Sequence, residues 1–250
     1  MKKERFFGIS YTFKRDEVQT EIERMVDFNQ KGYICVADGV TLSMSHRDGL
    51  LKKVLDESAI TVCDSGWVPL YLRSLYKINR EQYCGSDLLM DVVSLKKYKL
   101  MFLGASQLTL DALKQQLSLV DQRILQMPFI SLPFRNVLDF DYKQIAEDIK
   151  LHNPDVIFIS LGMPKQELFM HYLLPYLEKG VLIGVGAAFK FHSGLSAQKR
   201  APKWMIKAKM EWLHRIYSEP KKQLKRCGLI ISSMPFIYIK EYHNKQKNSL

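Results

Sequence analysis

No run in this chain reaches the roughly 18 consecutive apolar residues that a bilayer-crossing helix needs. The nearest, Cys227 to Ile239, is too short and is interrupted by Pro235. The N-terminus, Met1-Lys2-Lys3-Glu4-Arg5, lacks the apolar core of a secretory signal. The four cysteines, at 35, 63, 84 and 227, form no CxxC and no Cys/His ligand spacing, which argues against a zinc module or a disulfide frame. Cys35 and Cys63 close apolar runs and read as buried thiols in a reducing compartment. Also missing are a GxGxxG after the first strand, internal repeats and low-complexity tracts. These absences rank a dinucleotide oxidoreductase last and predict a cytoplasmic protein, attached at most to a membrane surface.

What is present starts with charge. The net charge is +11, and the stretch from Ser196 to Arg226 holds ten Lys or Arg against Glu211 and Glu219, a local +8. Such a block implies an anionic partner: nucleic acid, acidic lipid or a phosphorylated substrate. A solvated basic helix is the bland alternative. The remaining composition, 47% hydrophobic and 25% charged, is ordinary for a globular chain able to bury a full core.

Short apolar runs alternate with helical periodicity, which predicts an α/β fold: a Rossmann-like, mostly parallel sheet with flanking helices. Strands are expected over 5–9, 33–37, 60–63, 100–103, 123–129 and 156–160, with 181–185 closing the sheet. Helices are expected from an Asp16 cap to about Asn29, then over 45–57, 67–76, 86–97, 109–119, 142–152 behind an Asp141 cap, and 165–177. Past Gly194 the pattern turns basic and aromatic with no strand. A boundary near 195 therefore divides an α/β catalytic domain, 1–195, from a basic amphipathic helical appendage, 196–250, whose residues from His243 onward are expected to fray.

Several strand ends carry chemistry. Asp64 follows Thr61-Val62-Cys63, so its carboxylate should meet the crevice at the sheet's carboxyl edge. It suits a general base, and it equally suits an N-cap for the helix starting near Trp67. Asp38 before Gly39 reads as crevice lining or as a turn residue. Gly104-Ala105-Ser106 after Leu103 is a tight turn that also fits a nucleotide edge. Gln166 and Glu167 open a helix after Gly162 and Pro164; a Glu there suits the macrodipole, while an amide beside a carboxylate can bond sugar hydroxyls or a uracil edge. Gly184 and Gly186 flank Val185 and allow backbone to approach a diphosphate closely. Asp139-Phe140-Asp141 has the DxD spacing of a divalent-ion site, though Asp141 as a cap accounts for it. His192 is a lone loop histidine that could carry a proton.

The succession PKQE (164–167), GVGAAF (184–189), RAPKW (200–204) and EWLHR (211–215) resembles the WecG/TagA/CpsF family of bacterial glycosyltransferases, over roughly residues 30–226. The resemblance implies an inverting, metal-independent enzyme of cell-envelope polysaccharide synthesis, peripheral on the inner face of the plasma membrane. The donor would be a UDP-sugar, of N-acetylmannosamine type or a related hexose, and the acceptor a polyprenyl-diphosphate-linked sugar. Asp64 would be the catalytic base. Asp38, Gly104, Gln166, Glu167, Gly184 and Gly186 would line the donor site. Arg200, Arg215, Lys222, Lys225 and Arg226 would grip the acceptor diphosphate or an anionic membrane surface. No cofactor, metal or nucleic-acid partner is expected, and a homo-oligomer is allowed. The chain departs from the family pattern at Val36, Asp38, Ser65, Gln82 and Lys190, which leaves the donated sugar open. The rival reading, a basic nucleic-acid-binding α/β protein, accounts for the charge but gives no reason for PKQE or GVGAAF.

Overall fold

The computed structural model describes residues 3–195 and 220–247. Six parallel strands form one sheet: β3 (Lys31–Ala37), β4 (Ile60–Cys63), β5 (Leu100–Gly104), β6 (Phe129–Ile130), β7 (Val156–Ser160) and β8 (Gly180–Gly184), in the order β4-β3-β8-β7-β5-β6. Their apolar runs are nearly unbroken because both faces are covered. On one face Tyr33, Cys35, Cys63, Met101, Leu103, Ile157, Ile159 and Leu182 pack under helices. Ile34, Val36, Ile60, Val62, Phe102, Phe158 and Ile183 do the same on the other. The strand expected to close the sheet instead lies at its centre, with β8 bonded to β3 on one side and β7 on the other.

The helices divide between the faces as right-handed crossovers require. The first face carries α2 (Gly39–Ser45), α3 (Gly49–Glu57), α4 (Trp67–Tyr76), α7 (Tyr142–His152) and α8 (Lys165–Leu173). The second carries α1 (Arg15–Asp27), α5 (Gly85–Ser94), α6 (Gln107–Ser118) and α9 (Ala188–His192). Neighbouring strands β5 and β7 thus send the chain to opposite faces, which opens a crevice at their carboxyl ends.

Several expectations needed correction. The first strand is a hairpin, β1 (Glu4–Phe6) with β2 (Ile9–Tyr11), because Phe7 and Gly8 take φ of 52° and 77° and reverse the chain. Thr12 then bridges Val62 and covers the open edge of β4. Asp16 lies in the first turn of α1 behind Lys14 rather than capping it. The helix expected over 45–57 is two, because the Asp48 carboxylate accepts from the Leu50 and Leu51 N–H groups and starts α3 afresh. Residues 122–126 form a 3-10 turn rather than a strand, drawn in by Asp121, which accepts from the Arg123 N–H and guanidinium. α8 stops at Leu173 and passes into a 3-10 turn, Leu174–Tyr176, at Pro175.

The chain returns as a long helix, α10 (Pro220–Lys247), which continues past Pro235 and includes residues 243–247 of the segment expected to fray; residues 248–250 lie outside the described residues. No helix of the described residues is long and apolar enough to cross a membrane. α10 docks along α2 and α4 by a line of contacts. Met234 and Ile237 are buried, Ser233 Oγ donates to Ser43 Oγ at 2.6 Å, and the Tyr238 hydroxyl meets Ser74 Oγ at 2.8 Å. Further along, Tyr76 donates to Glu241 and Lys245 donates to the Leu75 carbonyl. Its outward side leaves Leu224, Ile231, Phe236, Ile239 and Tyr242 exposed.

Candidate active site

Because all six strands are parallel, every carboxyl end lies at one edge. Asp64 extends β4 there, its N–H donating to the Ala37 carbonyl at 2.9 Å. The Ala37–Cys63 register sets Asp64 beside Asp38 on the next strand. Asp64 does not start α4: the cap position is Gly66, and Ser65 Oγ accepts the Trp67 N–H. The half-buried carboxylate therefore stands at the edge, with Gln82 Nε2 3.4 Å from Oδ1. The thiols beneath are poor nucleophiles, since burial pushes Cys63 up to about 12 and raises Cys35 as well.

Asp38 serves the fold directly. Its Oδ1 accepts from the N–H and hydroxyl of Thr41, capping α2, and its Oδ2 pairs with the Arg226 guanidinium of α10. The pair ties the long helix to the edge next to Asp64.

Toward β5, β7 and β8 the edge is built of backbone. Gly104 has φ of 101°, and a Cβ there would lie 2.6 Å from the Ser160 carbonyl oxygen, so no other residue fits unchanged. Ala105 donates to that same carbonyl, and Ser106 caps α6 by accepting from the Thr109 N–H. Ser160 Oγ donates to the Gly186 carbonyl at 2.7 Å. Gly186, at φ 56°, donates its N–H to Gln166 Oε1 at 2.9 Å. The space left by Gly184 admits the Gln166 amide, whose nitrogen would lie 3.1 Å from a Cβ there. Gln166 Nε2 in turn donates to Glu167 Oε1 at 2.9 Å. Gln166 is 3% and Glu167 0% exposed, so both stand behind the turn rather than on its surface. Burial pushes the Glu167 carboxyl up to about 7. The N-termini of α6 and α8 open at the same edge and favour an anion.

Other candidates disperse. Lys225 is exposed on α10; Lys222 lies in that helix, its side chain outside the described residues. Arg200 and Arg215, with RAPKW and EWLHR, also lie outside them. The His192 ring sits 3.1 Å from the Ser86 carbonyl, joining α9 to α5. Asp141 caps α7 by accepting from the Gln144 N–H, and among the described residues no cluster of three acids, histidines or cysteines could hold a metal. Two contributors escaped sequence reasoning. Ser160 had a signal, a polar residue ending an apolar run two positions before Gly162. The Arg226–Asp38 pair, 188 residues apart, had none.

Comparison with known proteins gives a consistent result. The model of the "Glycosyl transferase WecG/TagA/CpsF family" matches residues 5–248. An N-acetylglucosaminyldiphosphoundecaprenol N-acetyl-beta-D-mannosaminyltransferase of Bacillus subtilis (strain 168) is 28% identical over 92% of this chain and 90% of its own. A protein of the same description from Bacillus spizizenii (strain ATCC 23059 / NRRL B-14472 / W23) is 25% identical over 79% of this chain and 75% of its own. One from Staphylococcus aureus (strain MW2) is 29% identical over 61% of this chain and 56% of its own.

Proposed function

We propose a reaction for a chain that belongs to the WecG/TagA/CpsF family of glycosyl transferases: it transfers a hexose from a UDP-sugar to a polyprenyl-diphosphate-linked sugar, with inversion and without a metal ion. That it is a glycosyltransferase follows from the family; the substrates are proposed from the relatives, whose names describe N-acetylmannosaminyl transfer to N-acetylglucosaminyldiphosphoundecaprenol.

The observation that carries the mechanism is the position of Asp64, a half-buried carboxylate one residue past β4 at the carboxyl edge of a parallel sheet, beside Asp38. In the proposed step Asp64 takes the proton of the acceptor hydroxyl as its oxygen attacks the anomeric carbon. The bond from that carbon to the diphosphate oxygen breaks, and UDP leaves with the electron pair. One displacement inverts the centre. The glycine turns at Gly104 and Gly186 and the N-termini of α6 and α8 would receive the departing diphosphate. Arg226 and Lys225, with Lys222, Arg200 and Arg215, would add positive charge on the acceptor side.

Under the same reading, residues 1–195 form the catalytic body and 196–250 the appendage. The exposed Leu224, Ile231, Ile239 and Tyr242 of α10 support docking to an anionic membrane surface, where the lipid-linked acceptor resides. The test is UDP release from a panel of UDP-sugars with a soluble lipid-diphosphate-sugar acceptor, in EDTA. Acceptor-dependent release that disappears in Asp64→Asn supports the reading. Release that proceeds unchanged in Asp64→Asn removes Asp64 from the mechanism. No release with any donor, together with salt-sensitive RNA binding, favours the nucleic-acid alternative.

A further inference from the structure

Glu167 is a fully buried carboxyl that touches no solvent, and the proposed reaction gives it no proton to move. Its Oε1 accepts from Gln166 Nε2, while Oε2 has no hydrogen-bond partner among the described residues. An acceptor at that place decides how the neighbouring amide is turned. With Nε2 held by Glu167, Gln166 must present Oε1 to the Gly186 N–H, at 2.9 Å. Reversed, the amide would aim an N–H at an N–H and leave two buried donors unpaired. The Gly186 carbonyl is held from the other side by Ser160 Oγ. Both polar groups of the Gly186 residue are thereby fixed by side chains from β7 and α8, at a turn whose φ is 56°.

We propose that Glu167 is a positioning residue: by fixing the orientation of the Gln166 amide it locks the turn after β8 in the form that receives the donor diphosphate. This assignment rests on the donor lying at that edge, as in the proposed function. It differs from a direct contact with the sugar or the base, since a side chain with no exposed surface cannot reach either. An unserved second oxygen in an enclosed apolar site favours the neutral carboxyl, and the raised titration of Glu167 agrees. A glutamine, isosteric with that neutral form, can turn its own carbonyl toward Gln166 and keep the lock.

The test compares Glu167→Gln, Glu167→Met and Gln166→Met in the full chain. Two readouts are used: amide hydrogen exchange of the turn at Gly186, which needs no substrate, and steady-state transfer. Glu167→Met is expected to speed exchange of the Gly186 amide and to raise the donor KM about tenfold, with kcat within about twofold. Glu167→Gln is expected to retain slow exchange and the original KM. Added to Gln166→Met, Glu167→Met is expected to cost nothing further, because Glu167 acts through Gln166. Equal damage from Glu167→Gln and Glu167→Met, or an undiminished tenfold effect in the Gln166→Met background, overturns the proposal. Should the wild-type chain transfer no sugar, the exchange data still decide whether the lock exists, and the failure then falls on the donor reading alone.

Discussion

The two ends of the carboxyl edge are made of different materials. At the β3–β4 end stand side-chain charges: Asp64, Asp38 and, reaching in from α10, Arg226. At the β5–β7–β8 end stand Gly104, Gly162 and Gly186, all at positive φ, with backbone groups held by Ser160, Ser106 and the buried Gln166. A proton can be taken only by a group that titrates, whereas a spread, multiply charged leaving group is best met by several fixed dipoles. Under the proposed reaction, the first end would take the proton and the second would receive the leaving diphosphate.

Changes at five positions would break or sharpen that contrast. Asp64→Asn should lower transfer by about 10²- to 10⁴-fold while leaving the melting temperature and UDP affinity near wild type. Equal loss of UDP affinity would mean that the two ends are not separable. Gly104→Ala attacks the other end. Its Cβ meets the Ser160 carbonyl oxygen at 2.6 Å under a φ of 101°, so a loss of about 3 kcal/mol in urea denaturation is expected, with weakened UDP binding.

Glu167→Gln should reveal a buried proton. The folded carboxyl titrates at about 7 against an ordinary value of 4.5, so between those limits the folded chain keeps a proton that the unfolded chain releases. Stability from that group is complete below the lower limit, declines as pH rises through the window, and is gone above it. Denaturation curves at about pH 5 and about pH 8 should therefore show the glutamine variant gaining on wild type at the higher pH. The smallest effect belongs to Arg226→Gln. Its side chain and that of Asp38 are 31% and 27% exposed, so about 1 kcal/mol or less is expected, shrinking with added salt. Asp38→Asn should match it, since Asn still caps α2, while Asp38→Ala should cost about 1 kcal/mol more.

The legible parts of the chain were those decided locally. Ile60–Cys63, Trp67–Tyr76 and Tyr142–His152 lie where apolar period and a flanking cap or glycine place them. The placement of Asp64, Gly104 and Gly186 at the sheet's carboxyl edge was legible for the same reason, each ending an apolar strand or standing one or two positions beyond one. The failures came where a contact made elsewhere outranked the local pattern. Residues 123–129 have the apolar content of a strand, but the Asp121 bonds to Arg123 curl the first four into a turn. Asp38 read as crevice lining or as a turn, and its partner Arg226 became visible only once α10 was laid along α2. Gln166 and Glu167 were found by motif, yet nothing in PKQE says that both are enclosed, or that the amide faces Gly186 while the acid faces the amide.

The central place of β8 has a temporal consequence. On a ribosome, β3 and β4 emerge early and can pair with each other, and β5, β6 and β7 can assemble as a second group. Neither group touches the other across the finished sheet until residues 180–184 slide between them, some 150 positions after β3. Such late, distant pairing slows folding. Until then each half exposes an unpaired strand edge, open to other chains and to chaperones. The sheet is thus two separate groups of strands until late in synthesis, and the Asp64 end and the glycine-turn end of the carboxyl edge are joined by the insertion of one five-residue strand.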